Sequence, residues 1–232
     1  MGHKISSRTV LLGSLLGTLT LALPALAGGN YVGQSFLGQN LVGRSFQGAN
    51  VTRANFNSAN AKQVSFYGAN VRSASFVKTN CAGCSFYGAT GDRATRFDSA
   101  ILGNSDFTGA RMRGARFLGA GLEGAKLTGA DVSHAFFRDA RLEHAKLVGA
   151  DARVTKFERA DLRMANLSNA RFSGANLSGA DLRGAGLVGT DLRDADLCNV
   201  KYDKYTNVNG ADVRRAKCGK EFIQKVRQAQ AK

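Results

Sequence analysis

The side chains best suited to chemistry in this chain are few and scattered. Cys81-Ala82-Gly83-Cys84 has the C-x-x-C spacing that serves thiol–disulfide exchange or metal binding. A redox reading needs a βαβ unit around the pair, and none is legible. Haem attachment needs His after the second Cys, and Ser85 stands there. Two packed thiols or a local bridge remain, since a turn brings its ends within about 7 Å, near disulfide reach. Cys198 and Cys218 are candidates for a second bridge. His134, His144, Asp131 and Asp151 are the other groups of interest. No Ser-His-Asp grouping, phosphate-binding glycine loop or paired-carboxylate cleft is suggested. The expectation is a protein that is not an enzyme, with no catalytic residues, no metal and no cofactor.

What positions these residues is a five-residue beat. From Phe97 an apolar residue returns at Leu102, Phe107, Met112, Phe117, Leu122 and so on to Leu197 and Tyr202. Two residues before each sits a small one, usually Ala, with Thr95, Ser105, Thr155, Thr190 and Val200 as exceptions. A period of five fits neither the helix period of about 3.6 nor the strand period of 2. Repeats this short cannot each close a core, so they must stack on their own copies as a solenoid. Phe97, Phe117, Phe137 and Phe157 lie twenty apart, which sets four repeats per coil and coils roughly 4.8 Å apart. The apolar and small residues point inward, and the other three positions face solvent.

Ala160-Asp161-Leu162-Arg163-Met164, Ala165-Asn166-Leu167-Ser168-Asn169 and Ala180-Asp181-Leu182-Arg183-Gly184 carry the motif A-[D/N]-L-x-x. On these residues the chain resembles the pentapeptide repeat family over most of its length. The resemblance implies an all-β fold, a right-handed quadrilateral β-helix. It also implies binding or mimicry rather than catalysis.

Residues 1–27 read as an export signal. Lys4 and Arg8 precede an apolar run over 10–23, Pro24 breaks it, and Ala25-Leu26-Ala27 is a small-x-small cleavage site. The run is shorter than the roughly 20 residues a membrane span requires. No later segment reads as a span, so none is expected after cleavage. The repeats then begin at Tyr31. Phe36, Phe56 and Phe76 fall on one wall, with Phe46, Phe66 and Phe86 opposite. Arg44 is a misfit at a small inward position. Little chain precedes the first coil, and a bare coil end invites association, so a homodimer through a coil end is expected. Near Gly91 and Asp92 the beat slips by one residue, which reads as a bulge at a corner. The solenoid is expected over 28–205. Residues 206–232 are expected to form a basic helical cap, with Val213, Ala216, Phe222, Ile223, Val226 and Ala229 on one face.

Net charge is +15, unevenly placed. Residues 28–91 hold Arg44, Arg53, Lys62, Arg72 and Lys78 and no acid. Columns twenty residues apart place Arg72, Arg113, Arg153 and Arg193 just after the inward residue of one wall. Arg96, Arg116 and Lys156 come just before that of the next. Together they predict a basic stripe along one corner, able to attract polyanions in a salt-dependent way. His134 and His144 fall on opposite walls and cannot share a metal. Asp131 and Asp151 stack, with Arg171 next in their column. Glu123, Glu143, Arg163 and Arg183 stack elsewhere, where Glu143 can pair with Arg163.

These features describe a non-catalytic, exported structural or binding module of the cell envelope, in the periplasm or, for a photosynthetic bacterium, the thylakoid lumen. Its expected partners are an anionic envelope lipid or an acidic protein. Nucleic acid is disfavoured. The second reading, gyrase protection by DNA mimicry as known for some relatives, needs an acidic cytoplasmic rod.

Overall fold

The computed structural model describes residues 26–230. The expected export signal lies almost wholly outside the described residues. From Leu26 to Lys217 every five-residue repeat turns one corner. In Phe56-Asn57-Ser58-Ala59 the Ala59 N–H donates to the Phe56 carbonyl at 3.0 Å. The third turn residue has positive φ, 57° at Ser58, as a type II turn requires. Glycine takes this place at many corners, but Arg53, His134 and Val154 also adopt it. The fifth residue then pairs in parallel with its counterpart one coil on: Asn60 with Asn80, Lys126 with Lys146, Asp161 with Asp181. Each side of the coil is thus a one-residue ladder, and the whole is a four-sided β-helix.

The Asp/Asn preference of the ladder position has a local cause. Its Oδ1 accepts the N–H two residues on, as in Thr52 to Asn50 at 3.2 Å, Arg163 to Asp161 at 3.1 Å and Ser168 to Asn166 at 3.0 Å. This Asx geometry fixes the entry to each corner. Thr replaces the inward Ala at several places without leaving a buried hydroxyl unpaired. Thr79, Thr155 and Thr190 donate to carbonyls of Phe56, Val132 and Leu167 in the preceding coil at 2.7–2.9 Å.

The core has two parts. Phe36, Phe56, Phe76, Phe97, Phe117, Phe137 and Phe157 stack along one wall with centroids 4.5–4.9 Å apart. Phe46, Phe66, Phe86 and Phe107 stack opposite and meet the first column edge-to-face, as in Phe56–Phe66 at 5.3 Å. Both arrangements are favoured aromatic geometries. Beyond Phe107 that second wall continues in leucines, and the core becomes predominantly leucine and alanine, all buried. Where one inward residue shrinks, the next in the column grows: Phe172 follows Ala152.

The slip at Gly91 and Asp92 is a built corner. The Asp92 N–H donates to Thr95 Oγ1 at 2.9 Å, and that hydroxyl donates to Val71 O at 3.1 Å. Asp92 Oδ1 accepts the N–H groups of Ala94 and Ser73, both at 2.9 Å. These backbone donors hold the Asp92 carboxyl below its usual range although burial pushes it up. A Cβ on Gly91 would come within 2.7 Å of the Met112 sulfur and 3.0 Å of Thr95 Oγ1, so a larger residue there would have to displace them.

The same device recurs at Asp203. Its N–H donates to Thr206 Oγ1 at 3.0 Å, Thr206 donates to Leu182 O at 3.0 Å, and its Oδ1 accepts from Tyr205 and Gly184. This second Asp-x-x-Thr insertion overturns the expected end of the solenoid at Tyr205. The ladder resumes at Asn207 and Asp212 and ends with Asp196 paired to Lys217. Val208 and Val213 are inward residues of that last stretch, buried in the coil. Val213 and Ala216 therefore do not belong to a helix, as the spacing had suggested. One inserted residue shifts the five-residue beat, and the shifted apolar positions mimic a helical face.

The helix α1 spans Lys220–Gln230. Phe222 and Val226 are buried, Phe222 meets Tyr202 edge-to-face at 5.3 Å, and Lys225 Nζ donates to Asp203 O at 2.7 Å. The helix lies over the end of the core, at the second inserted corner. Glu221 in the first turn and Arg227 in the last suit the helix dipole. Among the described residues no helix is long and apolar enough to cross a membrane.

Candidate functional site

The corner expected to carry a basic stripe is present as a surface, but its charges divide into two kinds. On the ladder, Asp151, Asp191 and Asp212 along this wall, and Asp161 and Asp181 on the opposite one, each sit two residues before an arginine. Arg153, Arg163, Arg183, Arg193 and Arg214 fold back to clamp them, with Nη2–Oδ2 distances of 2.6–2.8 Å. The arginine partner is the main reason that Asp151, Asp161 and Asp191 are held below the usual carboxylate range; at Asp181 the same bonds outweigh burial, which acts in the opposite direction. Arg96 and Arg116 share Asp98 at 3.0 and 3.3 Å. Of the seven residues of the expected stripe, Arg96, Arg116, Arg153 and Arg193 are thus in ion pairs. Charge spacing alone missed this, because the neutralising acid sits on the ladder two residues before Arg153 and Arg193, and at Asp98, two residues after Arg96 and one coil before Arg116. The Asp-x-Arg spacing was the available signal.

Arg72, Arg113 and Lys156 make no ion pair among the described residues. They are joined by cations that column counting overlooked. Arg53 donates its N–H to the Arg72 carbonyl, so the two lie on adjacent coils of one corner. Arg93 packs beside Gly114, next to Arg113, and Arg111 occupies the ladder between Thr90 and Asp131. Among the described residues none of Arg53, Arg93 and Arg111 has a carboxylate within ion-pair distance. Arg113 also borders a shallow groove with Ser133, His134, Arg153 and Ser173. The result is a run of uncompensated arginines on one wall, from Arg53 to Arg113, followed by a clamped zone. Glu143 pairs with Arg163 at 3.2 Å as the columns predict. Asp131 pairs in the ladder with Asp151, but Ser133 and Arg153 occupy their oxygens.

Both cysteine pairs are bonded. Cys81–Cys84 spans one corner inside the core with a Cα–Cα distance of 5.2 Å. Cys198–Cys218 fastens the chain entering α1 to the coil beneath it. Gly219 follows with φ 57°, and a Cβ there would meet the Leu197 carbonyl at 2.8 Å. Asp196, Cys198 and Cys218 present ligand atoms within 4.8 Å of one another, but the two sulfurs are bound to each other. The larger clefts lie around α1 and Cys218, away from the free arginines.

The family model described as Pentapeptide repeats matches in 8 copies, over residues 40–72, 93–129, 122–163, 135–174 and 160–199. These stretches cover more than half of the chain. No curated protein is similar to it at a significant level. Among solved structures, HetL, a pentapeptide repeat protein involved in heterocyst differentiation regulation from the cyanobacterium Nostoc sp. strain PCC 7120, is 22% identical, with 83% of this chain and 89% of HetL covered and a TM-score of 0.41. QnrB1, a plasmid-mediated fluoroquinolone resistance protein, is 19% identical over 90% of this chain and 97% of its own, with a TM-score of 0.37. A pentapeptide repeat protein from the Arabidopsis thaliana thylakoid lumen is 23% identical over 73% of this chain and 72% of its own, with a TM-score of 0.14.

Proposed function

The chain belongs to the pentapeptide repeat family, whose members fold as right-handed quadrilateral β-helices and are generally structural or binding proteins, and from that premise we propose that it is an exported, non-catalytic binding module of the cell envelope. Its ligand is an anionic surface, the head groups of an envelope lipid, met by the wall that carries Arg53, Arg72, Arg93, Arg111 and Arg113. The observation that carries this reading is the contrast in pairing: these arginines have no acid, whereas those at 153, 163, 183 and 193 are each clamped by one. A free guanidinium presents its planar donor fork to phosphate, and a clamped one has already spent it on carboxylate. The basic, small-x-small-terminated leader supports export to the periplasm or a thylakoid lumen.

The test is sedimentation with vesicles of anionic or neutral phospholipid over a salt series. Binding to anionic vesicles alone, weakening as salt rises, and lost when Arg72, Arg93 and Arg113 are replaced by Gln, is the expected result. Equal binding by the triple variant overturns the assignment of the surface. No binding at low salt overturns the lipid reading.

A further inference from the structure

The two ends of the rod are treated differently. At the C-terminal end α1 lies over the core with Phe222 and Val226 buried, and a disulfide holds its entry. At the other end, the first coil, residues 30–49, is a β edge with no covering element among the described residues. In later coils the ladder residue turns both backbone groups to the preceding coil: Asn50 N–H donates to Gly29 O, and Asn50 O accepts from the Tyr31 N–H. The equivalent N–H groups of Asn30, Ser35, Asn40 and Ser45, and the carbonyls of Asn30, Asn40 and Ser45, have no partner among the described residues. Such edges are normally protected by lysine, proline or a covering element. Here the exposed residues of the coil are uncharged, polar at Gln34, Gln39, Asn40 and Gln47 and apolar at three corners. Val32, Leu37 and Val42 are 48%, 59% and 44% exposed on three successive corners. The only charged residue in 30–49, Arg44, turns inward, and its Nε is shut off from solvent without an acceptor.

We infer that the open N-terminal coil is an interface for a second copy of this chain, joined edge to edge and head to head. A two-fold axis across the coil sets each unpaired ladder position antiparallel to the same row on the partner. Donors and acceptors then complement each other, because every free residue but Ser35 offers both groups on its backbone. The apolar rims at Val32, Leu37 and Val42 approach one another. The coil's one charge, Arg44, is half-buried, and its Nε lacks an acceptor, which a free carbonyl of the partner would supply. Head-to-tail growth is blocked by α1, so the contact is isologous and closes at two copies. The coil offers about the 20 residues that one side of a standard interface contributes. This inference is independent of the arginine wall, which runs along the side of the rod.

Sedimentation equilibrium of the protein purified after expression of the full chain, with intact mass to fix the protomer, tests it. The expected result is twice the protomer mass at micromolar concentration, with amide exchange at Asn30, Asn40 and Ser45 slowing as concentration rises. Leu37→Lys with Val42→Lys places like charges face to face, and weakens the dimer by about a hundredfold or more. Both positions are exposed, so the melting temperature stays close to that of the parent. Tyr67→Lys, exposed on the side of the rod, leaves the mass unchanged. A monomer at about 100 μM, a dimer indifferent to the double-lysine variant, or edge amides whose exchange ignores concentration overturns the inference. So does a monomer whose intact mass includes residues 1–25.

Discussion

The coils before the first inserted corner and those after it share one backbone and solve the problem of stability from opposite sides. Residues 28–91 pack aromatic rings from two facing walls and carry no acid and no ion pair on the outside. Residues 97–217 fill the core mostly with leucine and alanine and lace the outside with Asp-x-Arg clamps. The backbone ladder is indifferent to this choice, since every coil forms the same hydrogen bonds every twenty residues. What differs is the availability of charge. From Asp151 onward the clamps engage Arg153, Arg163, Arg183, Arg193 and Arg214, whereas the free guanidinium groups run from Arg53 across the inserted corner to Arg113. A binding surface can therefore be written onto a uniform scaffold simply by leaving out the acid two residues before an arginine.

The largest effect that would sharpen this contrast is in the aromatic half. Phe66 is stacked between Phe46 and Phe86 and meets Phe56 and Phe76 edge-on. Phe66→Ala is expected to cost about 3–5 kcal/mol in denaturant unfolding. Its loss should exceed that of Leu147→Ala, which lies further along the same wall in the leucine zone. Equal losses would break the comparison, because edge-to-face contacts would then add nothing.

At the far end of the clamped half, Cys198→Ser removes a bridge that closes a 20-residue separation. A loss of about 2–4 kcal/mol is expected. It should be read as faster amide exchange in α1 and the last coil, with residues 30–90 unchanged. Uniformly faster exchange would mean that the rod unfolds as a single unit and that its ends are not separable.

The smallest effect is that of acid. Asp151, Asp161, Asp181 and Asp191 have folded pKa values below those of the unfolded chain. Their stabilisation is complete above the ordinary carboxylate range of about 4 and drains away as pH falls through the lower folded values. Residues 28–91 have no carboxylate to protonate. Hydrogen exchange followed by mass spectrometry from pH 6 down to pH 2.5 should, after correction for the intrinsic rate, show the clamped coils opening first. Opening that begins in the aromatic coils would count against the division.

The beat of five, the twenty-residue return and the phenylalanine columns were legible because each follows from one repeat stacking on another. The first inserted corner was legible from the spacing of Phe76 and Phe97. The second was not, because no phenylalanine column survives beyond it to reveal the slip. Val213 and Ala216 therefore read as part of a helix although they belong to the last coil. The Asp-x-x-Thr signature at Asp92–Thr95 and Asp203–Thr206 becomes informative only when one copy is seen to build a corner. Arg72 and Arg153 occupy equivalent columns in the sequence, and nothing in the period separates them. Asp151 does, by reaching the guanidinium of its neighbour two residues on.

By itself, the sequence determined the coil, its four sides and which residues face inward, because a core one residue deep admits only a strict period. The tertiary structure alone decided where the ladder ends and which charges remain free. Those outcomes depend on hydrogen bonds and ion pairs made by side chains at the corners, and a repeat pattern records the positions of such groups but not their partners.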